Sequence, residues 1–370
     1  MQWSLAMSRS TASRTYGAAC VAAIAAVLAA AQSAPLTISE SGSTLIYPLF
    51  QSWVGAYAKV DPGVRLSDAA TGSGAGISQA IAARVQIGTS DAYMSDNQAM
   101  AHEDILNIPL VISAQTVDVN IPELRGGTLK LSGPVLAGIY SGKIRMWDDG
   151  QIAALNRGVR LPHSTIIPVR RAEGSGDTFI FTQFLTFSDD TGPDPDANPN
   201  SWGNKIGYGT TVSWPSVSEE LTATGNAGMV QAIAHTPYTM GYVGASFEAV
   251  AAKAGLITAM LENQDGKFLL PNAATISAAA ATLTPRTPPD ERLTLVFAPG
   301  PDSYPLINYE YAIVSDRQPN QQEATAISNF LLWCISPQGG SASGFLDPVH
   351  FIALPTSIRA RSEIQIAKIQ

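Results

Sequence analysis

Read for runs of apolar and polar positions, the chain opens on one uninterrupted apolar stretch, Gly17 to Ala31, and then alternates short β-rich segments with longer helical ones. Strand-like runs fall at 37–39, 64–66, 86–89, 117–120 and 165–169, and helix-like runs at 48–60, 76–84, 178–185 and 322–334. Strands alternating with helices predict an α/β architecture with largely parallel sheets. Residues 188–200, dense in Asp, Pro, Gly and Asn, predict a surface loop. No heptad pattern, internal repeat or second apolar stretch of membrane-spanning length interrupts this alternation.

The opening stretch reads as a targeting device. Arg9 and Arg14 lie in a polar segment, no acid precedes Glu40, and small residues follow the apolar run from Ala29 to Ala34. That order predicts a secretory signal peptide over residues 1–34, cleaved between about Ala31 and Ala34, and hence a periplasmic or secreted protein. The apolar run follows Cys20 rather than preceding it, so Cys20 does not read as a lipid-attachment site and is discarded with the leader. Only Cys334 then remains, within Phe330-Leu331-Leu332-Trp333-Cys334, where a buried and inert thiol is expected.

Composition narrows the chemistry. At 370 residues, 45% apolar and 14% charged, the chain has material for a large core. Its formal charge is −8, and no Lys/Arg run is present, which argues against a nucleic-acid surface. The four histidines fit no zinc spacing, and the phosphate-binding, dinucleotide and nucleophile-elbow glycine motifs are absent, so no metal, cofactor or catalytic residue is expected.

What remains is a set of Gly/Ser/Thr clusters, each just ahead of a helical run: Ser41-Gly42-Ser43-Thr44, Thr71-Gly72-Ser73-Gly74-Ala75-Gly76 and Gly174-Ser175-Gly176-Asp177-Thr178. Any one of them taken alone reads first as an ordinary N-cap. Glycine admits close backbone approach, and helix N-termini offer unpaired N–H groups with about half a positive charge. Three such ends brought together, with Arg171 nearby, would make an anion cradle.

The ordered motifs SGSTLIYPLFQSW (41–53), TGSGAGISQAIA (71–82), IGTSDAYMS (87–95), LAGIYSGKIRMWDD (136–149), VRRAEGSGDTFIFTQFL (169–185) and INYEYAIV (307–314) resemble the periplasmic phosphate-binding proteins of bacterial ABC phosphate transporters, the PstS family. GSGDTF is most similar to the branch that includes mycobacterial members. The resemblance implies a two-lobed, type II-like α/β fold with two crossing hinge strands and a ligand cleft between the lobes. Lobe I would hold residues 35–115 and 305–370, and lobe II residues 116–304. It implies a monomer that binds inorganic phosphate and docks on the transporter's membrane permease subunits.

By the same resemblance Thr44 and the N–H of Leu45, with Ser43 in support, would form the first phosphate loop, Ser73 the second, and Ser175 with Gly176 the third. Arg171 would pair with the anion and Glu173 would hold that arginine. Asp91 would accept a hydrogen bond from a protonated ligand oxygen, which phosphate can offer and sulfate cannot. Asp177 stands where many members carry Thr. It reads either as a cap on the helix starting near Thr178 or as a second acceptor. Two other functions stay open: a secreted phosphatase on the same scaffold, and binding of another oxyanion such as arsenate. No residue specifically supports an adhesive role.

Overall fold

One strand organises the protein: residues Ile105–Val119, all fifteen of them buried. The computed structural model describes residues 35–189 and 199–370. The signal peptide expected over 1–34 lies outside the described residues, as do positions 190–198 of the loop expected at 188–200. At the near end of that loop the structure differs from expectation, since the preceding helix continues through Asp189, whose carboxylate receives the Trp202 N–H at 2.7 Å.

The main sheet is carried by β1 Leu36–Gly42, β2 Val64–Ser67, β3 Ile87–Ser90, β4 Ile105–Val119, β5 Ile167–Arg171, β6 Leu221–Ala223, β7 Thr239–Gly244 and β8 Ile307–Ser315. Their order is β2-β1-β3-β8-β4-β7-β5-β6. The expectation of largely parallel sheets holds only at the flanks, where β1 pairs β3 and β5 pairs both β6 and β7 in parallel. At the centre β8 runs antiparallel to β3 and β4, and β4 runs antiparallel to β7. β4 changes partner halfway: residues 105–114 lie beside β8, while 115–119 lie beside β7. β4 thus ties both flanks into one mixed α/β assembly.

Helices pack on each flank. α1 Tyr47–Val60 buries Leu49, Phe50, Trp53 and Tyr57, and the other helices that matter here are α2 Ser73–Ile81, α3 Gly176–Asp189, α4 Gly225–His235 and α5 Gln321–Ile335. Phe50 and Tyr57 meet Phe330 of α5 edge-on, with centroids 5.5 and 5.0 Å apart. One turn on, Cys334 is fully buried, and burial pushes its thiol well up, as an inert core cysteine requires. On the other flank Met229, Val230 and Ile233 of α4 close over Val169 and Val243. α3 is buried on nearly every face, which its Phe-Ile-Phe-Thr-Gln-Phe-Leu run permits.

The interior also holds acids that form no ion pair among the described residues. Burial pushes Glu40 and Glu291 up to about 8 and Asp118 to about 7. The folded chain therefore binds more protons than the unfolded one between about pH 4.5 and 8, so stability falls as pH rises through that window. Each such group weakens the fold by up to about 1.4 kcal/mol per pH unit. Thermal unfolding should show a higher midpoint at pH 5 than at pH 8, and a midpoint that climbs over this range would contradict the assignment.

Candidate functional site

The three Gly/Ser/Thr clusters converge, and a fourth helix end joins them. The first cluster leaves β1 and turns into α1. Ser43 Oγ accepts the N–H groups of Leu45 and Ile46 at 3.0 and 3.2 Å and itself donates to Asp91 Oδ1. The Leu45 N–H, expected to face a ligand, is thus spent on its own turn. Ser73 opens α2 and donates its hydroxyl to Asp91 Oδ2 at 3.1 Å. The preceding Gly72 has φ +91, and a Cβ there would lie 2.8 Å from the Gly174 carbonyl oxygen, so the turn needs glycine. The Gly74 N–H closes the link to the third cluster by donating to that carbonyl at 3.0 Å.

Ser175, Gly176 and Asp177 begin α3. The cap is Ser175, whose Oγ accepts the Thr178 N–H at 3.3 Å. Asp177 does not cap the helix. Its Oδ2 receives Arg171 Nη1 at 2.6 Å and Asn226 Nδ2 at 2.8 Å, and its Oδ1 receives Gln115 Nε2 at 3.0 Å. A carboxylate beside a buried guanidinium is worth more as its counter-charge than as an exposed helix cap, and that decides its orientation.

Arg171, at the end of β5, is 3% exposed. Its Nε donates to Glu173 Oε1 at 2.8 Å, Nη2 to the same oxygen and to Thr44 Oγ1 at 3.1 Å, and Nη1 to Asp177. Against the upward push of burial, the hydrogen bond and charge of Arg171 hold the Glu173 carboxyl below its usual value. Glu173 Oε1 also takes the Gly225 N–H at 2.9 Å, which fixes it to the start of α4. Asp91, 2% exposed, is pushed the other way, first by burial and then by the nearby Asp177 charge.

All the residues singled out in sequence therefore lie in one cluster, buried except for the half-buried Glu173: Ser43, Thr44, Leu45, Ser73, Asp91, Arg171, Glu173, Ser175, Gly176 and Asp177. Sequence reasoning missed Asn226, which donates to Thr44 and Asp177 and accepts the Gly244 N–H at 2.7 Å. Its context, Thr224-Gly225-Asn226 at the start of α4, is similar in composition to the other clusters and could have flagged it. Gln115 and Glu310 reach the site from β4 and β8 and carry no such local signature.

The PBP superfamily domain matches residues 29–338. The phosphate-binding protein PstS of Methanocaldococcus jannaschii is 31% identical over 341 residues, covering 87% of this chain and 84% of that protein. The PstS of Pasteurella multocida is 31% identical over 329 residues, covering 89% of each. Among solved structures, the high-affinity periplasmic phosphate-binding protein PfluDING, bound with phosphate, superposes with a TM-score of 0.67 at 21% identity, covering 88% of this chain and 92% of that one.

Gly176 makes the convergence testable. A Cβ there would sit 2.4 Å from Asp91 Oδ2 and 2.5 Å from Ser73 Oγ, so the two faces could not keep their contact. Gly176→Ala should leave far-ultraviolet circular dichroism intact yet enlarge the radius of gyration in small-angle scattering. An unchanged radius would contradict the close approach.

Proposed function

The chain belongs to the PBP superfamily and, within it, to the phosphate-binding proteins PstS; from that premise and the site's geometry we propose that it binds inorganic phosphate in the periplasm and delivers it to the membrane permease of an ABC importer. The observation that carries this reading is the buried guanidinium of Arg171, facing Asp91 across a ring of helix N-termini. Lobe I is residues 35–115 with 305–370 and lobe II is 116–304, a division supported by the change of partner along β4. Among the described residues no helix is long and apolar enough to cross a membrane, and we take 1–34 as a cleaved leader.

The proposed mechanism is capture by neutral donors. An entering tetrahedral oxyanion takes the hydroxyls of Ser43, Thr44, Ser73 and Ser175 and the backbone N–H groups at Leu45 and Gly176; of these, Ser43, Ser73 and the Leu45 N–H must turn from an internal partner. Arg171 is fixed by Glu173 and Asp177, and its four hydrogen bonds leave one Nη1 proton for the ligand. The ion pairs cancel the guanidinium charge, so attraction comes from desolvated dipoles rather than a net positive field. Asp91 then accepts the ligand's own proton. Closure of the lobes excludes water and gives the permease a shape to recognise. The role is binding rather than catalysis, in keeping with the names of its relatives.

Calorimetry on the mature protein tests this. Phosphate should bind at one site, arsenate (a near isostere with the same proton) should compete, and sulfate should be weaker by ~10⁴ or more. Asp91→Asn should narrow that gap at least tenfold by removing the repulsion of the unprotonated anion. A variant that kept the wild-type ratio would sink the assignment of Asp91.

A further inference from the structure

Beside Asp91 a second acid is buried that the proposed mechanism does not use. Glu310 sits in the middle of β8, fully buried, beside the irregularity that shifts the β8/β4 register between Glu310 and Tyr311. Such bulges re-aim side chains next to functional sites. Glu310 Oε1 is satisfied by Ser113 Oγ at 2.6 Å and Asn308 Nδ2 at 3.1 Å. No N–H or hydroxyl donor reaches its buried Oε2. Geometry sets it beside Asp91: Tyr311 pairs with Ser90 across the antiparallel β8/β3 ladder, and Asn308 Nδ2 reaches both Glu310 Oε1 and, at 3.4 Å, the Asp91 carbonyl oxygen.

Two carboxylates are both acceptors, so a hydrogen bond between them requires that one keep a proton. The surroundings decide which. Asp91 is supplied with donors, Ser43 and Ser73, and feels Arg171, all of which favour its charged form. Among the described residues Glu310 forms no ion pair, and burial together with the Asp91 charge pushes its carboxyl well up. Burial and the Asp177 charge push the Asp91 carboxyl up as well, but less far than that of Glu310.

We infer that Glu310 is a positioning residue: a neutral carboxylic acid that donates its proton to Asp91, keeping Asp91 ionised and aimed as the acceptor for a protonated oxyanion. This rests on the phosphate-binding reading and extends it. The acid that tests for the ligand's proton works only if it carries none itself, and Glu310 supplies a donor that holds it so. Without that donor, Asp91 would take a proton in its dry site and become a donor, offering sulfate the hydrogen bond it otherwise lacks.

Two variants and two readouts decide it. In E310Q an amide N–H replaces the acid's O–H toward Asp91, while its oxygen still receives Ser113, so the phosphate-over-sulfate ratio from calorimetry should stay within about threefold of wild type. In E310A that ratio should fall at least tenfold, most steeply below pH 7, where Asp91 protonates more readily. The infrared difference between wild type and E310Q at neutral pH should show loss of one protonated-carboxyl band. An unchanged ratio and pH profile in E310A, whatever its unfolding midpoint, would reduce Glu310 to a structural residue and overturn the inference, as would a difference spectrum without that band. The infrared comparison needs no phosphate, so a wild-type protein that bound none would defeat the functional reading alone.

Discussion

The arrangement turns on keeping a guanidinium charged where water cannot reach it. Burying an ion costs several kcal/mol, and leaving it unpaired costs about 3–5 kcal/mol more, so Arg171 must bring its partners with it. Glu173 and Asp177 meet that need from its own segment and Thr44 from another element, while Asn226 braces Thr44 and Asp177. The consequence is a recognition site with no surplus positive charge. Selectivity must then come from the number and direction of donors and from the proton state of the ligand.

The scaffold explains how so many polar groups converge inside an apolar protein. Each helix N-terminus needs partners for its first N–H groups, and Ser, Thr, Asn and Gly are the residues that meet or tolerate that need. Placing four such ends against one another gathers donors without stranding any of them. β4 and β8 contribute what helix ends cannot: side chains of fixed reach, Gln115 against Asp177 and Glu310 against Asp91. Because β4 runs through both flanks, it couples the site to any relative movement of the two.

Local features were legible in sequence, and long-range ones were not. β1, β2, β3 and β5, and α1, α2, α3 and α5, fall within a few residues of the expected runs, since each has its own composition signature. The span of β4 was seen only at its last few residues, because a strand buried on both faces loses the alternation that marks it. The reversal of strand direction at the centre has no local cause at all. The cluster from Ser43 to Asp177 emerged from glycine and hydroxyl patterning plus the resemblance. The orientation of Asp177 did not, since it depends on Arg171, Asn226 and Gln115 arriving from other elements.

Neutron diffraction of the phosphate complex in heavy water bears most directly on recognition by proton. The account predicts a deuterium between a ligand oxygen and Asp91, belonging to the ligand, and a second on Glu310 pointing at the same carboxylate. A phosphate bound with no deuterium toward Asp91, or an Asp91 that carries the deuterium itself, would contradict it.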